Sequence, residues 1–91
     1  MVKLMDIINI LDNNTVEVNF KEYKLKQYEY KIVKFLAENK NKRVPCFMLV
    51  SEVLPFSSVE QLNYRIIPEI NNKLGNIILE TRIGNCYYIE Q

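Results

Sequence analysis

The sequence predicts an α+β domain, built as an N-terminal antiparallel β-meander, three helices and a C-terminal β-hairpin. Three observations point there. Apolar and polar residues alternate from Thr15 to Phe20, the period of a half-buried strand. From Tyr28 to Leu74 the apolar spacing changes to three and four, the period of one helix face. Beyond Gly75 a β-branched run and a Gly84-Asn85 pair restore the signals of strand and turn.

The elements follow in order. Residues 7–25 read as strands. Ile7-Ile8-Asn9-Ile10-Leu11 is short and β-branched, and Asp12-Asn13-Asn14 is a turn signal. The alternating strand Thr15–Phe20 is expected to turn at Lys21-Glu22 and return through Tyr23-Lys24-Leu25. Such a meander leaves one face to pack on helices. Tyr28, Ile32, Phe35, Leu36 and Asn39 form the first helical stripe, widened by Val33, with Lys31, Lys34 and Glu38 opposite. Asn39-Lys40-Asn41-Lys42 ends it, and Pro45 suits the first turn of a second helix, Cys46 to Leu54, which Pro55 stops. Ser57 or Ser58, with Glu60 or Gln61 three residues on, makes a capping box for a third helix. Val59, Leu62, Ile66, Ile70 and Leu74 run down one face of it, and Gly75 is the residue that ends it. Pro68 falls inside this helix. It is expected to free the Tyr64 carbonyl, disfavour helical geometry at Ile67, and either kink the helix or leave its first part as a separate turn. Ile77–Thr81 and Cys86–Ile89 are the strands of the final hairpin.

Composition removes much chemistry. The 91 residues are expected to form a single domain. Apolar residues make up 48%, enough to bury a core, so disorder is excluded as the main state. There is no His, hence no Ser-His-Asp triad and no imidazole metal ligand. Cys46 and Cys86 lie too far apart for a CxxC site, and two glycines cannot build a phosphate-cradling loop. The chain is therefore expected to be no enzyme, with no cofactor and no metal. No apolar run reaches the length of a membrane span, and the charged N-terminus does not read as a signal peptide. A cytoplasmic protein without membrane contact is the expectation, and in that compartment a disulfide is not expected. Cys46 is expected to be a small buried hydrophobe.

The net charge of +1 is unevenly spread. Between Lys21 and Val44 eight basic residues stand against Glu22, Glu29 and Glu38, while the flanking segments are neutral or acidic. A solvated helix face and a local phosphate footprint both fit such a run.

Two short helices, a longer third helix and a hairpin, preceded by strands, are the winged helix-turn-helix arrangement. Over nearly its whole length the chain resembles the OmpR/PhoB-type winged-helix DNA-binding domain. The likeness rests on Leu25-Lys26-Gln27-Tyr28-Glu29-Tyr30 at the first helix and on Arg43-Val44-Pro45 with Leu49, Val53 and Leu54 at the second. It continues in Lys73-Leu74-Gly75 at the end of the third and in Thr81-Arg82-Ile83-Gly84-Asn85-Cys86-Tyr87 at the wing. The third helix departs from that family in being poor in Arg, and the wing has Ile83 where the family has Arg. More distantly, the small, Lys-, Asn- and Ile-rich chain resembles TcpK-like accessory DNA-binding proteins of clostridial conjugative plasmids.

These resemblances imply duplex DNA as the partner. At 100° per residue the third helix turns Gln61, Tyr64, Arg65, Pro68, Asn71 and Asn72 away from its core stripe. In a winged helix that face enters the major groove, where Arg reads guanine and Gln or Asn reads adenine. The DNA-binding residues expected are Gln61, Tyr64, Arg65, Asn71, Asn72 and Lys73 on the helix. Lys42 and Arg43 before the second helix, and Arg82 and Asn85 at the wing, are expected to complete them. Lys31 and Lys34 are expected to be solvated. The function implied is sequence-specific binding by a stand-alone winged helix, as an accessory factor on repeated sites at a plasmid transfer origin. A transcriptional regulator and a winged helix used for protein contacts are the alternatives. With so few cations, a homodimer or several copies on repeated sites is expected, with a relaxase or another DNA-processing protein as a further partner.

Overall fold

A computed structural model describes residues 6–55, 57–81 and 85–91. The N-terminal sheet holds β1 (Ile8–Ile10), β2 (Thr15–Val18) and β3 (Lys21–Lys24), antiparallel in that order. Ile8 faces Val18 and Ile10 faces Val16 across the first pair, and Val16 faces Tyr23 across the second. Ile8, Val16 and Val18 are buried, so the alternation in β2 does set the face that packs inward.

The second turn lies earlier than the sequence suggests. Asn19 and Phe20, not Lys21 and Glu22, reverse the chain, both at positive φ (52° and 70°). Two left-handed residues in a two-residue hairpin match the twist of the flanking strands. Asn19 fits because its side chain also works locally: Oδ1 accepts from the Ile7 N–H at 2.9 Å and Nδ2 donates to Asp6 at 2.9 Å. Phe20 consequently leaves the buried face and is 79% exposed.

Helix α1 (Gln27–Glu38) buries Ile32, Val33 and Leu36, and Tyr30 donates from its hydroxyl to the carbonyl of Leu11, just past β1. The chain then makes a short strand that periodicity does not reveal, β4 (Val44–Pro45), ahead of α2 (Cys46–Val53). Pro45 thus stands just outside the second helix, as its N-cap, rather than in its first turn. Ser58 caps α3 as expected, its Oγ accepting from the Gln61 N–H at 3.1 Å. Helix α3 is continuous in three parts, an α turn (Val59–Gln61), a π-helical segment (Leu62–Ile66) and an α segment (Ile67–Leu74). Gly75 closes it at φ 88°, the left-handed geometry that glycine takes without a Cβ penalty. Strand β5 is only Leu79–Glu80, because the Ile78 N–H and carbonyl ahead of it are bonded to the Asn71 side chain; β6 is Cys86–Tyr88. The second sheet runs β4-β6-β5, all antiparallel. The wing is thereby sewn to the start of α2.

The expected loss of helical geometry before Pro68 does not occur. Ile67 stays helical at φ −62°, ψ −46°. Its N–H reaches back five residues to the Leu62 carbonyl, so the helix widens into a π turn one residue before the proline. Pro68 then falls in the first turn of the α segment, where no N–H is required of it. The wider turn also suits the apolar pattern. Three successive four-residue steps drift by about 120° on a regular α-helix, and the π turn takes back part of that drift. Leu62, Ile66, Ile67, Ile70 and Leu74 are all buried as a result.

One core runs from Ile8 to Ile89 and contains residues of both sheets and all three helices, with Cys46 among them. Glu29 is the buried charge among the described residues. Its Oε1 accepts from the Lys26 N–H at 3.0 Å, capping α1, and its two oxygens accept from Lys73 Nζ at 2.7 and 2.9 Å. The start of α1 is thus tied to the end of α3. Tyr87 is the other cross-link. It is 1% exposed, and its hydroxyl donates to Asn63 Oδ1 of α3 at 2.5 Å. Burial, then the nearby Glu80, Cys46 and Tyr64, push its phenol up to about 12 from the usual 10.

Two outcomes follow. Lys73→Met strands the Glu29 carboxylate and is expected to cost about 1–3 kcal/mol. A Glu29→Gln, Lys73→Met double variant recovers part of that loss, because an amide oxygen can still accept from Lys26. Chemical denaturation at neutral pH measures both, and an unchanged midpoint for Lys73→Met would rule out the tie. For Tyr87, the native state holds its proton more tightly than the unfolded chain. Its contribution is therefore complete below pH 10 and is lost as pH rises from 10 towards 12. Tyr87→Phe should cost about 1 kcal/mol at neutral pH and flatten that alkaline decline. Equal alkaline slopes in the two proteins would assign the decline to another group.

Candidate nucleic-acid interface

The outward face of α3 is set by the core on its other side. Gln61, Tyr64, Arg65, Pro68 and Asn72 are exposed, Tyr64 by 81%. The π segment carries Tyr64 and Arg65 together on this face. Arg65 shares the rim of a surface cleft of about 320 Å³ with Lys31 and Gln27, so a second cation from α1 stands near it.

Two of the expected DNA-binding residues of the helix make bonds within the domain. Asn71 is only half-exposed; its Nδ2 donates to the Ile78 carbonyl at 3.0 Å and its Oδ1 accepts from the Ile78 N–H at 2.9 Å. Bonded to both backbone groups of Ile78, this amide is fixed in orientation, with one N–H and one oxygen lone pair left over. Its place reflects the chain's reversal past Gly75, which helical periodicity cannot report. Lys73 is occupied by Glu29. Gln61 keeps only part of its capacity, since its Oε1 accepts from the Ser58 N–H at 3.4 Å in the capping box.

The basic loop is held from two sides. Asn41, left-handed at φ 63°, donates from its backbone N–H to the Ile89 carbonyl at 2.8 Å. Its side chain pairs with the backbone of Gln91 at 2.8 and 3.1 Å. Lys40, Lys42 and Arg43 are exposed beside this anchor. The Arg43 guanidinium lies 4.9 Å from the centre of the Tyr88 ring on β6. Stacking uses the face of a guanidinium and leaves its N–H edges available. Because Val44 pairs with Tyr87 and Pro45 with Cys86, this loop and the wing form one surface.

At the wing base the Thr81 N–H donates to the Cys86 carbonyl at 2.9 Å. Asn85 is exposed and left-handed at φ 46°, and its carbonyl accepts from the Cys46 N–H at 2.9 Å. Arg82 lies outside the described residues. The structure thus brings Gln61, Tyr64, Arg65 and Asn72 onto one face, sets Lys42 and Arg43 beside β6, and engages Asn71 with Ile78 and Lys73 with Glu29. Sequence reasoning missed Asn63, which meets Tyr87, and Tyr88 as the platform for Arg43. Two adjacent tyrosines in a strand were the available signal for the latter; Asn63 had none.

No protein-family model matches the chain, and no curated protein matches it. Solved structures do. The C-terminal domain of the lantibiotic response regulator NsrR, a nisin resistance regulator, superposes with a TM-score of 0.76 at 20% identity, covering 92% of both chains. The DNA-binding domain of the response regulator AdeR, solved in complex with an intercistronic region, gives 0.80 at 20% identity, covering 99% of both. Among the described residues no helix is long and apolar enough to cross a membrane. With its N-terminal sheet, three helices and a wing paired to the second helix, the chain has the winged-helix fold of OmpR/PhoB-type response-regulator DNA-binding domains.

Proposed function

We propose that the protein is a non-catalytic, sequence-specific binder of double-stranded DNA. The observation that carries this is the α3 face of Gln61, Tyr64, Arg65 and Asn72, exposed on a helix whose opposite side is core. The AdeR domain, with the same fold across 99% of the chain, was solved on DNA. In this reading α3 lies in the major groove, Arg65 bonds a guanine edge, and Asn72 and the free amide nitrogen of Gln61 add polar contacts. Lys42 and Arg43, with the wing residues Asn85 and Arg82, hold the sugar-phosphate backbone.

A neutral domain gains little from counterion release, so useful affinity comes from dimerising or from filling adjacent sites. That favours an accessory factor on repeated sites, as at a plasmid transfer origin beside a relaxase. The response-regulator fold neighbours favour control of transcription instead. Selecting bound duplexes from a random pool separates the two, through the repeat structure of the recovered site and where it occurs. A protein-docking role for the same face draws on the bare Tyr64 ring; failure to bind random duplex at low salt would support it.

Two substitutions test the assignment. Arg65→Ala is expected to cost about 1–3 kcal/mol on the selected site and relax discrimination at one base pair. Retained affinity and preference would refute the assigned face. Lys42→Ala with Arg43→Ala should weaken binding to all duplexes alike. The salt slope should fall by about 0.9 for each phosphate that these two side chains neutralise. An unchanged slope would return both residues to the solvated surface.

A further inference from the structure

We propose that Asn63 contacts the DNA backbone and that the wing holds it in position through Tyr87. This rests on the DNA-binding reading above. The Tyr87 hydroxyl donates to Asn63 Oδ1, which settles the orientation of the amide: its oxygen is taken by the wing strand and its nitrogen is left as a donor. That nitrogen makes no hydrogen bond to a described residue. Because no buried side-chain polar atom among those residues lacks a partner, it opens to solvent. Tyr87 is held in turn by near-complete burial, so the amide is oriented by a side chain that cannot move freely.

The place of Asn63 suggests what the donor meets. It precedes the exposed Tyr64 in the π segment, on the flank of α3 that meets β6. A recognition helix in a major groove turns its outer face to the bases and its flanks to the groove walls, which are phosphates and sugars. A donor between helix and wing therefore faces a backbone oxygen. A neutral amide suits this place better than a cation, because Glu80 acts on Tyr87 from close by and would compete with phosphate for a positive charge. Side-chain amides are ordinary phosphate donors.

The test is a set of binding titrations on the full chain, using a selected duplex and a random duplex across a range of salt, with melting temperatures for every variant. Asn63→Ala is expected to weaken both duplexes by the same factor, about 3- to 10-fold. The salt slope should not change, since an amide displaces no counterion. Asn63→Asp keeps the acceptor for Tyr87 and so the fold, loses the donor, and should bind more weakly still. Tyr87→Phe should weaken binding by a smaller factor on its own and add nothing in the Asn63→Ala background, because it acts through Asn63. Wild-type affinity in both Asn63 variants, or an additive loss from Tyr87→Phe, overturns the proposal while leaving DNA binding in place. A wild-type protein that binds neither duplex overturns the DNA-binding reading as well, which sets the two failures apart.

Discussion

Glu29 is the point on which the arrangement of helices depends. A carboxylate with no exposure is costly unless every strong acceptor site is used. Here one oxygen caps α1 and both receive Lys73 from the last turn of α3. The bond joins the first turn of one helix to the last turn of another, 44 residues later. Hydrophobic contacts between helices tolerate sliding and rotation; a shared ion pair with a fixed cap does not. The C-terminal end of α3 is pinned to α1, and its N-terminal half is pinned to the wing by Tyr87 and Asn63. The two ends of α3 are thereby held in a fixed relation to α1 and to β6.

Much of this was readable in the residues, for reasons that separate cleanly. The helices and their caps are local features, so Ser58, Gln61 and Gly75 announced the ends of α3. The alternation in β2 was equally local. What was not readable depends on partners distant in sequence. β4 is two residues long and exists only because β6 pairs with it. Helical periodicity turns Asn71 outward, and only the chain doubling back brings Ile78 to its amide. The pairing of Lys73 with Glu29 is of the same kind, a contact across 44 residues. The turn at Asn19-Phe20 was a local signal misjudged: the apolar alternation ran through Phe20, while the left-handed tolerance of Asn19 decided where the chain reversed.

Pro68 shows how a local conflict can be absorbed by a change of hydrogen-bond register. The proline cannot donate, and the apolar stripe before it advances by fours. A π turn answers both at once, since it shifts the hydrogen-bond register ahead of the proline and rewinds the stripe towards the core. Its by-product is the projection of Tyr64 and Arg65 from a widened turn. The residues with the strongest claim to recognition thus sit where the helix is least regular, a common place for function in helical proteins.

Seven described residues other than glycine have positive φ, and six of them are asparagines: Asn13, Asn14, Asn19, Asn41, Asn76 and Asn85. The chain has only two glycines. Asparagine thus does at nearly every reversal what glycine does in most proteins. The difference lies in the denatured ensemble. A glycine link leaves the unfolded backbone freer, and that freedom must be surrendered on folding; an asparagine link has less to surrender, by an amount on the order of 0.4–1 kcal/mol where the native geometry is tolerated. Spread over six residues in five reversals, this narrows the entropy gap that a small core has to overcome. The stability of this domain is accordingly set in part by how restricted its chain already is before any contact forms.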